Sequence, residues 1–120
     1  PHIHIDLESH RLIDMTYTRI ADAYLGDVSS QVFEFIYEPK PCLFLNCHGL
    51  KRGKEQDFPQ WEFGNVISNF SDFPGKLSSI FKDHPDFITN QSSFIHSTFD
   101  SNDLSSGKRG AEAIINHFSL

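Results

Sequence analysis

The amino-acid sequence predicts a single α+β domain. The chain has 120 residues, a length that supports one hydrophobic core. Apolar residues make up 38% of the sequence and twelve residues are phenylalanine, which is enough material to form that core. Segments with the two-residue period of a strand alternate along the chain with segments of helical period, so both kinds of element are expected.

The first third of the chain predicts a strand, a helix and a second strand. Residues 2–7 alternate between apolar and polar side chains, which is typical of a half-buried strand. Residues 11–25 predict a helix that Gly26 ends, because apolar residues recur there at intervals of three and four. Residues 31–38 alternate again, with three aromatic residues on one side, and predict a strand.

The rest of the chain predicts a similar succession of elements. After Pro39-Lys40-Pro41, an apolar run begins a strand over residues 42–49, and a polar loop follows it. Two short helices that meet at Pro74-Gly75 are expected between residues 58 and 84. Residues 93–99 are rich in β-branched and aromatic side chains and predict a strand, and residues 108–118 predict a terminal helix.

Charge and composition exclude several classes of protein. The net charge is −6, and residues 1–38 carry seven acidic residues against two arginines, which argues against nucleic-acid binding. No apolar stretch reaches the length of a membrane span, and the first residues do not resemble a signal peptide. Cys42 and Cys47 are expected on opposite faces of one strand, where they cannot form a disulfide. We therefore expect a cytoplasmic protein that does not enter a membrane.

Pro1 is the residue with the most unusual chemistry. If initiator methionine is removed ahead of it, Pro1 carries a free secondary amine. In an apolar pocket with cations nearby, the pKa of such an amine falls, and the neutral nitrogen can accept a proton from carbon. The alternative is that residue 1 only begins the sequenced chain and has no chemical role.

Two segments resemble the tautomerase superfamily, which includes 4-oxalocrotonate tautomerase, carboxymethyl-hydroxymuconate isomerase and macrophage migration inhibitory factor. The segment from Pro1 to Arg11 resembles the N-terminus of these proteins, and the segment from Cys47 to Lys54 looks like a loop of the cis-3-chloroacrylic acid dehalogenase branch. The resemblance implies two tandem β-α-β units, over residues 1–40 and 41–100, with a helical tail over residues 101–120. It also implies a homotrimer.

The resemblance also implies a reaction and a set of site residues. Pro1 would be the catalytic base of a tautomerase or isomerase, or the acid of a dehalogenase or hydratase variant. Arg11 and Arg52 would bind the carboxylate of a small keto-enol or unsaturated acid, and Lys54 or Lys40 would assist them. No cofactor is expected. Without the resemblance, the basic run from Lys51 to Lys54 is typical of a solvated loop.

Other patterns leave further alternatives open. His2, His4 and Asp6 share one face of the expected strand, a pattern that divalent metals accept, but exposed polar residues on a strand need no metal and none is expected. His96-Ser97-Thr98 matches only one copy of a phosphoesterase motif that requires two. The acidic first third of the chain favours a rival function, that of a small cytosolic inhibitor or immunity protein that binds a basic protein.

Overall fold

The structure is a computed structural model and describes residues 2–51, 58–99 and 106–118. Within these ranges the chain is a mixed α+β protein with three short strands and five α-helices. The strands are β1 (Tyr24–Gly26), β2 (Cys42–Leu45) and β3 (Asn65–Ile67). The helices are α1 (Thr16–Ile20), α2 (Gln31–Phe35), α3 (Phe73–Asp83), α4 (Ile88–Thr98) and α5 (Ser106–Phe118). Short 3-10 helices cover His10–Leu12, Pro59–Glu62, Phe70–Asp72 and His84–Asp86.

The strands form one parallel sheet in the order β1-β2-β3. Tyr24 pairs with Cys42 in the register of β1 against β2, and Leu43 pairs with Asn65 in the register of β2 against β3. The chain reaches β2 from β1 through α2, and it reaches β3 from β2 through a loop and a 3-10 helix. All three strands therefore end at the same edge of the sheet.

The side chains of β2 divide between two core layers. Cys42 and Phe44 point to one face, where they pack with Val32, Phe35 and Ile36 from α2 and its C-cap, with Trp61 and Phe63, and with Ile95 of α4. Leu43 lies on the opposite face and packs with Ile67 and with Ile80 of α3. A strand that is covered on both faces needs a continuous apolar sequence, which explains why the run from Cys42 to Leu45 predicts β2 correctly.

The predicted strand over residues 31–38 is wrong, because this segment contains α2. The aromatic alternation of the sequence has the period of a strand. However, the buried residues are Val32, Phe35 and Ile36, which follow the i, i+3, i+4 spacing of a helix face. Packing of that face on β2 decides the conformation, and Tyr37 of the alternating set is left exposed.

The predicted strand over residues 93–99 is also wrong, since α4 occupies this segment. Gln91 and Ile95 are buried one helical turn apart. Gln91 donates to the carbonyl oxygens of Lys40 at 2.9 Å and Phe63 at 2.7 Å, and it accepts from the Lys40 amide at 3.0 Å. The β-branched composition of the segment is overridden by these contacts.

The first part of the chain differs most from the prediction. Residues 2–7 do not form a strand, and Ile3, Ile5 and Leu7 are exposed. The helix predicted over residues 11–25 is divided into a 3-10 helix, the short helix α1 and then β1, so Gly26 ends a strand and not a helix. No strand of the described sheet pairs with residues 2–7, so the alternation there has no sheet to join.

Of the remaining predictions, some are confirmed and others are wrong. The strand that begins at Cys42 is confirmed as far as Leu45, and the terminal helix is confirmed by α5. The helix break at Pro74-Gly75 is wrong because Pro74 lies in the first turn of α3, where its missing amide hydrogen costs nothing. The strand β3 was not predicted. Among the described residues, no helix is long and apolar enough to cross a membrane.

Candidate functional site

Polar residues follow all three strands at the edge where the strands end. Asp27 follows β1, Asn46 and His48 follow β2, and Ser68 follows β3. In open sheets of parallel strands, ligands bind outside the carboxyl ends of the strands. We call this group of residues the sheet-edge site.

The turn between β1 and α2 fixes the position of Asp27. The Tyr24 hydroxyl donates to the Asp27 carbonyl oxygen at 2.6 Å, and the Val28 amide donates to Asp27 Oδ1 at 2.7 Å. Ser29 Oγ accepts from the Gln31 amide at 3.2 Å, at the start of α2. One carboxylate oxygen of Asp27 is thus held by its own turn, and the other is directed away from it.

Asn46 fixes the opposite side of the sheet-edge site. Its buried side-chain amide donates to the Leu50 carbonyl oxygen at 2.8 Å and to Ser68 Oγ at 3.0 Å, and its side-chain oxygen accepts from the Leu50 amide at 2.9 Å. The loop turns back through Gly49, whose φ of +62° suits glycine. These bonds hold the loop that carries His48.

His48 and Asp27 face each other across the site. His48 Nε2 lies 3.8 Å from Asp27 Oδ2, and the two side chains are 74% and 45% exposed. An ion pair this exposed adds little to stability. Its interest is positional, because it brings an imidazole and a carboxylate together at the ends of two adjacent strands.

A buried polar atom lies behind the turn between β1 and α2. Gln60 is 8% exposed, and its Nε2 donates to the Ser29 carbonyl oxygen at 3.4 Å. Its Oε1 accepts no hydrogen bond from the described residues. A buried acceptor without a partner lowers the stability of the folded chain.

A cavity of about 620 Å³ lies apart from the sheet edge, at α1 and α2. Lys40 lines it, and Lys40 Nζ donates to the carbonyl oxygens of Arg19 and Ala21, each at 3.1 Å. The same ammonium lies 5.2 Å from the centre of the Phe35 ring. The full lining is Met15, Thr18, Arg19, Glu34, Phe35, Tyr37, Glu38, Lys40 and Phe99.

The structure does not bring the described substrate-binding candidates into one cavity. Arg11 is exposed in the 3-10 helix His10–Leu12 and is not part of the cavity lining that contains Lys40. Pro1, Arg52 and Lys54 lie outside the described residues. The predicted roles of these five residues therefore stay predictions.

Two histidines from the sequence patterns, His4 and His96, contact neighbouring protein groups. His4 Nε2 lies 3.2 Å from the Tyr17 hydroxyl, and that hydroxyl also donates to Asp6. His96 Nδ1 contacts the Ser92 carbonyl oxygen of its own helix at 2.7 Å. The described residues contain no group of three His, Cys, Asp or Glu side chains placed to hold a metal ion.

The sequence did contain a signal for the sheet-edge site. Gly26 is followed by Asp27, Ser29 and Ser30, and these are residue types that begin helices. The interpretation of residues 11–25 as a helix placed this signal after a helix, not between a strand and a helix. Asn46 was visible only as the end of an apolar strand, and His48 was assigned to the loop that resembles the dehalogenase branch and not to a sheet edge.

Comparison of the chain with protein-family models, with curated proteins and with solved structures finds no match.

Proposed function

We propose that this chain binds a small ligand rich in hydroxyl groups, such as a sugar or a nucleoside, at the sheet-edge site. The observation that carries the proposal is the convergence of Asp27 and His48 at the carboxyl ends of adjacent parallel strands, 3.8 Å apart. Ligand sites of open parallel sheets lie at this edge. The binding residues come from two different turns, so the site depends on the fold and not on one segment.

The chemistry of the site favours hydroxyl groups over anions. The Asp27 carboxylate accepts hydrogen bonds and repels a phosphate or carboxylate at the same place. Ser30 and Ser68 are exposed and can both donate and accept. Neighbouring hydroxyls of a sugar ring present donors and acceptors together, so they match this mixture of groups.

The pair of Asp27 and His48 also offers a base. A neutral imidazole within reach of a ligand hydroxyl can accept its proton. We propose binding as the primary function and this proton transfer as its chemical use.

Titration of the ¹⁵N-labelled chain with adenosine and with D-glucose, followed by amide chemical shifts, tests the proposal. We expect shifts at Asp27, Ser29 and His48 with at least one of the two ligands. Asp27→Asn should weaken that binding at least about tenfold, the loss expected when a charged hydrogen-bond partner is removed.

The matched control is Asp22→Asn, since Asp22 is exposed at the other end of β1. It should leave the affinity unchanged. Shifts that avoid the sheet edge, or equal losses in the two variants, would contradict the proposal.

The reaction implied by the resemblance is a second candidate, favoured by the position of Lys40 in a partly apolar cavity. Pro1 would transfer a proton on a small carboxylic acid, with two tandem β-α-β units assembled as a trimer. Inactivation of an untagged chain by 3-bromopropiolate across a pH series tests the amine, and sedimentation tests the trimer. A pKa of Pro1 well below about 7.7, the lower end of the ordinary range for an α-amino group, would support this second candidate.

The rival function, inhibition of a basic protein, is favoured by the exposure of acidic residues along the first third of the chain. Glu8, Asp14, Asp22, Asp27, Glu34 and Glu38 are all exposed. An extension added before Pro1 separates the two ideas. It should abolish chemistry at the proline and leave an acidic binding face active.

A further inference from the structure

We propose that the cavity at α1 and α2 is a second ligand site, distinct from the sheet-edge site, and that it takes a small zwitterion with an apolar side chain. An apolar α-amino acid is the chemical class that fits it. The argument rests on the size of the cavity, its walls, the charges at its rim and the backbone of one wall residue.

The size and the walls are those of a small-molecule site. The volume of about 620 Å³ falls in the range of ligand cavities, about 300–1,000 Å³. Phe35, Tyr37 and Phe99 supply aromatic surface, and Met15 adds a flexible apolar side chain. The Tyr37 and Phe99 rings meet edge to face at 6.1 Å, which gives this wall a defined shape.

Charges of both signs line the same cavity. Arg19 and Lys40 supply two cations, and Glu34 and Glu38 supply two carboxylates. A ligand with a single charge is attracted by the two residues of opposite charge and repelled by the two residues of like charge. A zwitterion can direct its carboxylate to the cations and its ammonium to the glutamates, so it matches the lining better than either a plain acid or a plain amine.

Lys40 is held in place for this role. Two of its three donor positions go to the carbonyl oxygens of Arg19 and Ala21, and the ring of Phe35 lies beneath the ammonium. The third donor is left for a ligand. The two bonds to Arg19 and Ala21 are explained if Lys40 simply caps the end of α1. A cap does not explain why two glutamates and an open volume lie beside the same ammonium.

The backbone of Met15 adds an independent observation. Met15 has φ 63° and ψ 18°, and it is the described non-glycine residue with a left-handed backbone. Such a conformation costs about 1 kcal/mol or more, and residues strained in this way cluster at ligand sites. Here it places a side chain in the cavity wall at the start of α1.

Isothermal titration with three probes tests the proposal. L-phenylalanine carries both charges, 3-phenylpropanoate lacks the ammonium, and 2-phenylethylamine lacks the carboxylate. We expect L-phenylalanine to bind at least about tenfold more tightly than either analogue, because each charge lost removes one charge-assisted contact. Glu38→Gln should weaken the binding of L-phenylalanine but not that of 3-phenylpropanoate, which loses a repulsive neighbour, and Phe99→Ala should weaken the binding of all three.

Two controls separate this site from the fold and from the sheet edge. Glu112→Gln on the exposed helix α5 should change nothing, and urea denaturation verifies that each variant is folded. Asp27→Asn should leave the affinity for L-phenylalanine unchanged while it weakens the hydroxylated ligand. Absence of L-phenylalanine binding at 10 mM probe, equal binding of the three probes, or loss of binding in Asp27→Asn would each overturn the proposal.

Discussion

Gln91 is the most informative single residue of the core. Its side chain is 0% exposed, and its hydrogen bonds reach two segments that are distant in sequence, at Lys40 and Phe63. These segments lie just before β2 and β3, so Gln91 joins α4 to the entry of two strands. No apolar residue can replace it, because the backbone groups it satisfies would lose their partners.

Replacing Gln91 by alanine should therefore destabilise the chain strongly. Three backbone groups lose their side-chain partner, and a small cavity opens beside Ile95. We expect the free energy of unfolding to fall by about 3 kcal/mol, measured by urea denaturation. Ser93→Ala on the exposed side of the same helix should change it by less than about 0.5 kcal/mol. A loss similar to that of the control would contradict the structural role of Gln91.

The two cysteines should differ sharply in reactivity. Burial raises the pKa of the Cys42 thiol to about 12, whereas Cys47 is exposed after β2. The thiolate is the reactive species, so at pH 8 a chromogenic disulfide reagent should label Cys47 within minutes and Cys42 only after unfolding. Cys47→Ser should abolish the fast phase. A fast phase that survives this change would mean that β2 opens readily.

At the level of whole elements, the sequence predicted those whose pattern is decided locally. The run from Cys42 to Leu45 has a single interpretation because a strand covered on both faces must be apolar throughout. The segment of α2 has two interpretations, since Phe33 and Phe35 fit a strand while Val32, Phe35 and Ile36 fit a helix. The packing of Val32, Phe35 and Ile36 against β2 decides between the two interpretations. A single sequence does not contain that information.

Replacement of two different glycines by alanine should change the free energy of unfolding in opposite directions. Gly64 is buried directly before β3, and an added methyl group would overlap the backbone carbonyl of Cys42. Because the obstacle is backbone, we expect Gly64→Ala to lower the free energy of unfolding by about 3 kcal/mol. Gly75 lies in α3 with open space around it, and Gly75→Ala should raise that free energy by about 0.5 kcal/mol. Thermal denaturation of both variants checks the difference in sign.

The N-terminal segment should separate from α1 in acid. Hydrogen bonds from Ser9, from Tyr17 and from two backbone amides hold the pKa of Asp6 well below its usual range. The ionised Asp6 carboxylate therefore contributes its full stabilisation above about pH 4, the ordinary pKa of an aspartate side chain. This contribution is lost progressively as the pH falls below that value. Heteronuclear relaxation of residues 2–9 should show this release as an increase in mobility that begins below about pH 4 and is still incomplete at pH 2. Asp6→Asn should show it already at pH 6, and Asp22→Asn should behave as the unchanged chain does.

The whole molecule is less compact than its length suggests. The radius of gyration is 17.7 Å, against about 14 Å for a compact domain of this size. The core lies between β1 and the end of α4, and residues of α5 are exposed except for the half-buried Arg109. The sequence predicted one core and a terminal helix. It did not predict that this helix stays apart, because a helix with Ile114, Ile115 and Phe118 on one face looks like one that packs.

Removal of residues 100–120 should therefore leave the core folded. The side chains of α5 bury little surface, so their loss removes little of the hydrophobic contribution to stability. We expect the free energy of unfolding in urea to change by less than about 0.5 kcal/mol, with a nearly unchanged denaturant slope because that slope follows the surface exposed on unfolding. A matched chain in which Ile114 and Phe118 are replaced by serine should behave in the same way. A loss above about 1 kcal/mol in both chains would instead mean that the apolar face of α5 packs on the core in solution, and the radius of gyration from X-ray scattering of the full chain would then fall toward the compact value.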